Sequence, residues 1–249
     1  MSAGSEQQTG AGSAPRTVGT SVTSVARKGD VGPAGGDGLA TSSGPGQPVK
    51  AVLLDLGGVF LDWDPRHLYR KLFGDDVAAM EDFLTNVCTP AWHAQQDLGK
   101  AIAEACAELS TRYPEYSDLI NAWAERNEEM VSGVIDGSVQ ILAELVAAGV
   151  ERYALTNMER ESWERRLQRY EFLRWFDGHF VSAFEGVMKP DPRYFHLALE
   201  RFGLEPEQAF FTDDNRQNVE TASALGVQAV LFRSPAGLRE ELVARGVLV

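Results

Sequence analysis

Residues 51–59 read Ala51-Val52-Leu53-Leu54-Asp55-Leu56-Gly57-Gly58-Val59. Four apolar residues run without alternation into a carboxylate and then a glycine pair. A strand covered on both faces reads this way, because neither face meets water. The carboxylate therefore falls where the strand ends, and the glycines serve the turn that follows. Working outward, the same signature recurs at Tyr153–Leu155, His179–Val181, Ala209–Phe211 and Ala229–Phe232. Between these runs lie helix-period segments: Ser138–Ala148, Glu159–Arg169, Arg193–Phe202 and Val219–Leu225. Gly149, Gly203 and Gly226 close three of them, as expected at helix C-termini. Strands and helices in alternation specify an α/β fold, a doubly wound parallel sheet with right-handed crossovers.

One stretch breaks the alternation. From Pro65 to Gly133 every periodic segment reads helical, with Leu68, Leu72, Met80, Phe83, Leu84, Val87, Ile102, Cys106, Leu109, Leu119, Trp123 and Met130 at the apolar positions. Some 70 helical residues inserted after the first strand predict a small bundle carried on the sheet. The expected organisation is thus a core over 49–64 and 134–249 with a helical cap over 65–133.

Residues 1–48 differ from both. They hold no Phe, Tyr, Trp or Ile and are dominated by Gly, Ser, Ala, Thr and Pro, so they are expected to form a disordered tail without chemistry of its own. Arg16, Arg27 and Lys28 in a Ser/Thr-rich background admit an organellar targeting reading, which the plain flexible tail outweighs. A secretory signal is excluded by the lack of a continuous apolar run after the first basic residue.

The 249 residues carry 23 Lys plus Arg against 36 Asp plus Glu, a formal net charge of −13. Residues 1–50 hold four basic and three acidic side chains, so the acidity belongs to the part expected to fold. That balance argues against nucleic acid or an anionic membrane surface as a partner, since both need clustered positive charge. Two cysteines, Cys88 and Cys106, make neither a disulfide scaffold nor a zinc motif. No run of 18 apolar residues occurs. The expectation is an acidic, soluble, cytoplasmic protein.

In an open α/β sheet, ligands bind beyond the carboxyl ends of the strands. The first strand delivers Asp55 there, the second Thr156-Asn157, and the fourth Thr212-Asp213-Asp214-Asn215. Lys189 precedes a helix opened by Pro190. Each has an ordinary alternative: Asp55 as an acceptor for the glycine turn, Asp213-Asp214 as a helix cap, Thr156-Asn157 as a turn, Lys189 as a solvated charge. Together they bring three carboxylates, a hydroxyl and an ammonium to one sheet edge. Three converging carboxylates repel unless a cation is present, and an oxygen-rich set with room for a phosphate suits Mg²⁺.

The segments Val52–Val59, Ala154-Leu155-Thr156-Asn157, Val187-Met188-Lys189-Pro190 and Phe210–Asn215 resemble, in order, the four motifs of the haloacid dehalogenase-like (HAD) hydrolase superfamily. The resemblance spans about residues 50–235, and the helical insertion lies where that family carries its cap. It implies a HAD-like Rossmannoid core with an inserted helical cap and a phosphatase that acts through an aspartyl-phosphate. Asp55 is then the nucleophile. Asp55, the Gly57 carbonyl and Asp214 hold Mg²⁺, with Asp213 nearby. Thr156, the Asn157 backbone amide and Lys189 bind the phosphoryl group.

One position departs from the pattern. Most phosphatases of the family place a second Asp two residues after the nucleophile as general acid, and here that residue is Gly57. Asp62 and Asp64 are the nearest candidates in the following loop, although Asp62 reads more readily as a turn former. Some sugar-phosphate phosphatases of the family share the glycine and keep the adjacent Asp pair, which points to a small phosphorylated metabolite, sugar phosphates included. Two alternatives stay open: a 2-haloacid dehalogenase, which also lacks the second Asp, and a non-catalytic binding or regulatory module. Asp213-Asp214 weighs against the first, and the presence of Asp55 and Lys189 against the second. In the insertion, Trp92, His93, Gln95, Gln96 and Asp97 form a polar, aromatic-flanked stretch that reads as a loop able to lower onto the catalytic edge or as a plain inter-helix turn. His93 reads as an exposed loop histidine.

Overall fold

The computed structural model describes residues 47–249, so all but the last two residues of the expected tail lie outside the described part. The described chain opens with β1 (Ala51–Leu54) and β2 (Leu61–Trp63). Five helices follow: α1 (Arg66–Phe73), α2 (Val77–Asn86), α3 (Pro90–Asp97), α4 (Ile102–Arg112) and α5 (Ser117–Glu125). After β3 (Val131–Val134) the alternation resumes with α6 (Asp136–Ala147), β4 (Glu151–Thr156), α7 (Arg160–Arg169) and β5 (Gly178–Val181). The last third holds α8 (Ser182–Glu185), α9 (Pro192–Phe202), β6 (Ala209–Asp213), α10 (Arg216–Ala224), β7 (Gln228–Leu231) and α11 (Pro235–Ala244).

Five strands form one parallel sheet in the order β5-β4-β1-β6-β7. All four residues of β1 are buried, and they alternate in what they touch. Val52 and Leu54 pack with Ile141 and Leu145 of α6, Trp163 of α7 and Leu242 of α11. Ala51 and Leu53 pack with Phe195 and Leu199 of α9 and Ala222 of α10. A strand sandwiched between helix layers has no face for a polar residue, which is why its sequence shows no alternation. The chain extends the sheet on one side of β1 through β4 and β5, then crosses to the other side for β6 and β7. That reversal opens a crevice at the carboxyl end of β1. Leu54 pairs with both Ala154 and Thr212, so the three strands around the crevice end nearly level.

The helical insertion has its own core. Leu68, Met80, Phe83, Leu84, Val87, Ile102, Cys106, Leu109, Trp123 and Met130 are buried there, with Leu72 and Leu119 half-buried at its margin. Each fully buried large side chain contributes roughly 1.5–3 kcal/mol. The helical reading of 65–133 fails at its end, because Val131–Val134 is a strand that pairs antiparallel with Leu61–Trp63. This two-stranded ribbon joins both ends of the insertion. Four residues of Val-Ser-Gly-Val are too few for their period to stand out beside the helices. The expected helices and strands otherwise lie within three residues of the observed ones, with α9 starting at Pro192 rather than beside Pro190. No described helix is long and apolar enough to cross a membrane.

Candidate active site

Asp55 leaves β1 at the crevice, and its backbone N–H donates to Thr212 O at 3.1 Å, which continues the sheet for one residue. Its carboxylate is buried. Lys189 lies in the turn before α9 and is 2% exposed, low enough that its ammonium must be satisfied by protein. It donates to Asp55 Oδ1 at 2.6 Å, to Asp213 Oδ2 at 2.7 Å and to Leu155 O at 2.8 Å, which accounts for all three of its protons. Burial works against the ammonium, but Asp213 and Asp55 outweigh it and hold Lys189 above its ordinary range. For Asp55 burial dominates. Lys189 draws its carboxyl down, yet burial, with added repulsion from Asp213 and Asp214, pushes it up to about 8.

Asp213 ends β6 and is fully buried. Besides Lys189 it accepts from Asn215 N at 2.8 Å and from Asn218 Nδ2 at 3.0 Å to each oxygen. A carboxylate occupied on both oxygens is held rigidly, and it holds Lys189 in turn. Asp214 is more open. Burial and Asp213 raise its carboxyl, with Lys189 opposing. Gly58 makes room for it: Gly58 has φ +66°, and a β-carbon there would collide with the Asp214 carboxylate. The glycine pair thus serves a left-handed turn and a close approach at once.

Asp55, Asp213 and Asp214 offer ligand atoms that all lie within 4.8 Å of one another. One ammonium stands among three carboxylates, and the most central of them is pushed toward its protonated form by burial. That donor set fits a hard divalent cation, whose charge would return Asp55 to its carboxylate form.

The other expected residues are placed less uniformly. Asn157 lines the crevice, but its side-chain amide clamps the Lys189 backbone, Nδ2 donating to Lys189 O at 2.8 Å and Oδ1 accepting from Lys189 N at 2.9 Å. Thr156 is buried at the end of β4 and is not among the crevice-lining residues. Gly57 does line it, and a β-carbon on Gly57 would meet no atom of the described residues within 4 Å. Asp62 and Asp64 do not line it. Asp62 is bonded by the Ser132 hydroxyl and faces His67 at 3.3 Å, and Asp64 accepts from Arg66 N at 2.8 Å at the start of α1.

The crevice, about 250 Å³, is walled on its far side by His93 and Asp97 of the stretch expected to lower onto the catalytic edge, and by Glu159, which sequence reasoning missed. The stretch read as a loop or turn at 92–97 is helix α3, capped by the Thr89 hydroxyl, which accepts from Trp92 N at 3.1 Å. Spacing of four residues puts His93 and Asp97 on one face of it. His93 is not an exposed loop residue: its ring stacks on Trp63 at 5.2 Å and meets Trp123 edge-on at 5.1 Å. From the sheet side comes Glu159, buried at the start of α7 and bonded by the Ser162 hydroxyl at 2.5 Å and Asn127 Nδ2 at 3.2 Å. His93, Asp97 and Glu159 form a second group with ligand atoms within 4.8 Å of one another. A Thr-Pro cap followed by His and Asp four apart was the available signal for α3.

The haloacid dehalogenase-like hydrolase family model matches residues 49–226. The chain is 30% identical over 204 residues to a phosphoglycolate phosphatase from Pseudomonas putida, covering 75% of this chain and 70% of that protein. It is 28% identical over 223 residues to mouse acyl-CoA dehydrogenase family member 10, covering 83% of this chain but only 20% of the mouse protein. In fold it is similar to a HAD family enzyme from Bacteroides thetaiotaomicron solved with magnesium and inorganic phosphate, at TM-score 0.58 and 22% identity over 75% of this chain and 95% of that one. The family match spans the crevice-forming strands and the insertion alike, and it agrees with the carboxylates and lysine found at their ends. The chain belongs to the haloacid dehalogenase-like hydrolases, with phosphatases among its relatives.

Proposed function

We propose that the crevice hydrolyses small phosphomonoesters, sugar phosphates included, through an aspartyl-phosphate on Asp55. The observation that carries this reading is the Lys189 ammonium lodged between Asp55 and Asp213 with Asp214 beside them. Lys189 engages Asp55 Oδ1, so the other carboxylate oxygen is the one directed at phosphorus. Attack in line forms the Asp55–phosphorus bond as the bond to the leaving oxygen breaks, and water then attacks phosphorus to free Asp55 and release phosphate. Asp55, the Gly57 carbonyl and Asp214 would hold Mg²⁺, with Asp213 adjacent, and the bound ion offsets the repulsion between carboxylate and phosphate. The Asn157 backbone amide serves the phosphoryl oxygens, and the Thr156 hydroxyl, buried off the crevice lining, joins it only on turning into the crevice. The three protons of Lys189 are already engaged, so it acts on the phosphate through its field and by fixing Asp55.

The test is hydrolysis of p-nitrophenyl phosphate with and without Mg²⁺, by the parent chain and by Asp55→Asn. The reading predicts turnover that EDTA abolishes and the variant lacks. Activity indifferent to EDTA, or halide release from 2-haloacids, replaces it with the dehalogenase. Inactivity across a broad phosphate panel replaces it with a binding module.

A further inference from the structure

The first bond cleavage leaves an alkoxide unless a proton is supplied, and Gly57 offers none. We propose that Asp97, on helix α3 of the insertion, is the proton donor to the leaving oxygen, with Glu159 and His93 as its positioning residues. This rests on the phosphomonoesterase reading and adds to it the residue that reading lacks.

Three observations converge on Asp97. It lines the same crevice as Asp55 and Lys189. It is 6% exposed, and its Oδ1 has no hydrogen-bond partner among the described residues, with His93 Nε2 at 3.7 Å. A buried carboxyl oxygen without a partner costs free energy, and a substrate oxygen seated there would satisfy it. Third, its environment and that of Glu159 differ. Both carboxyls are buried within 4.8 Å of each other, so they do not both ionise easily. Burial disfavours the charge of Glu159, but His93, Arg166 and the Ser162 hydroxyl outweigh it and hold Glu159 below its ordinary range. Asp97 takes the opposite course. Burial, with Glu159 repelling, pushes it up to about 6, against the pull of His93, Arg166 and Lys189. Two carboxyls driven apart in this way assign the acid and its fixed partner.

The step balances. As the phosphorus–oxygen bond breaks, the leaving oxygen takes the Asp97 proton and departs as an alcohol, leaving Asp97 as carboxylate. In the second step that carboxylate accepts a proton from the water attacking phosphorus, and the Asp55–phosphorus bond breaks.

Asp97→Asn keeps the shape and removes the proton. An alkyl ester, glycerol 2-phosphate, needs that proton, whereas p-nitrophenolate leaves as a stable anion. The variant is expected to lose on the order of 10²-fold in kcat on the alkyl ester and at least tenfold less on the aryl ester. Turnover of the alkyl ester by the parent chain should fall as pH rises past the Asp97 range, and that limb should vanish in the variant. Gly57→Asp, placed in the open space at residue 57, should restore alkyl-ester turnover to Asp97→Asn. Equal losses on both esters, an unchanged pH limb, or a parent chain that hydrolyses the aryl ester but not the alkyl one overturns the proposal alone. A parent chain that hydrolyses neither overturns the phosphomonoesterase reading and the proposal with it.

Discussion

Lys189 and Asp55 are 134 positions apart in sequence, yet the Lys189 ammonium lies 2.6 Å from Asp55 Oδ1, with both side chains buried at the crevice floor. Two strand ends and one turn must be formed before that contact exists, so it couples the chemistry to the completed sheet. Lys189→Met leaves Asp55 and Asp213 buried without their cation. The expected cost is about 3–5 kcal/mol of stability without divalent cation and complete loss of turnover. Lys189→Arg should not rescue, because a planar fork cannot reach three acceptors arranged for a point charge. Thermal melting with and without Mg²⁺, beside a turnover assay, checks both.

Gly58→Ala tests the approach of Asp214. A side chain at φ +66° costs roughly 1–2 kcal/mol, and here it also displaces a carboxylate proposed to hold the metal. The Mg²⁺ concentration for half-maximal activity should rise well before the fold is lost. Gly57→Ala, which meets nothing, should not raise it in the same way.

Asn218 donates to both oxygens of Asp213 and touches neither Asp55 nor Lys189 by hydrogen bond. Asn218→Leu should lower activity by about 10–100-fold by loosening Asp213. Asn218→Asp should do worse, because it sets a like charge against a buried carboxylate. A kcat series on one substrate decides the order.

The stability of the chain should also report on Asp97. Its carboxyl is raised from 3.8 to about 6, so between those values the folded state holds a proton that the unfolded state has released. That contribution is present in full below pH 3.8 and is lost as pH rises through about 6. Asp97→Asn has no such loss. Relative to the parent chain it should gain up to about 3 kcal/mol in going from pH 4 to pH 8, an upper bound because the pair with His93 is removed as well. Denaturant melts of both proteins at the two pH values measure the difference.

Legibility in the sequence followed a physical divide. β1 and Asp55 could be read directly, because a doubly covered strand is an unbroken apolar run and its end is marked by the first charge. Asp213 followed by the same logic, whereas Lys189, in a loop before a helix, took its role only from the motif it shares with the family. The partners that tune them could not. Asn218 is one polar residue on a helix, and nothing local says that it faces inward. Asp97 and Glu159 lie 62 positions apart, on an inserted helix and at the start of a sheet-packed one, and meet only through the tertiary fold. Helix α11 was not among the expected helices; Pro at its first turn and Ser234 as cap, accepting from Gly237 N at 3.2 Å, start it.

The most direct test of the account is the covalent state of Asp55 during turnover. The chain is mixed with Mg²⁺ and excess p-nitrophenyl phosphate, quenched in acid within the first turnovers, digested and weighed by mass spectrometry. The account predicts one phosphoryl group on the peptide carrying Asp55, absent from Asp55→Asn and absent when EDTA precedes substrate. Ester cleavage with Asp55 unmodified, or a phosphoryl group on any other residue, would contradict it.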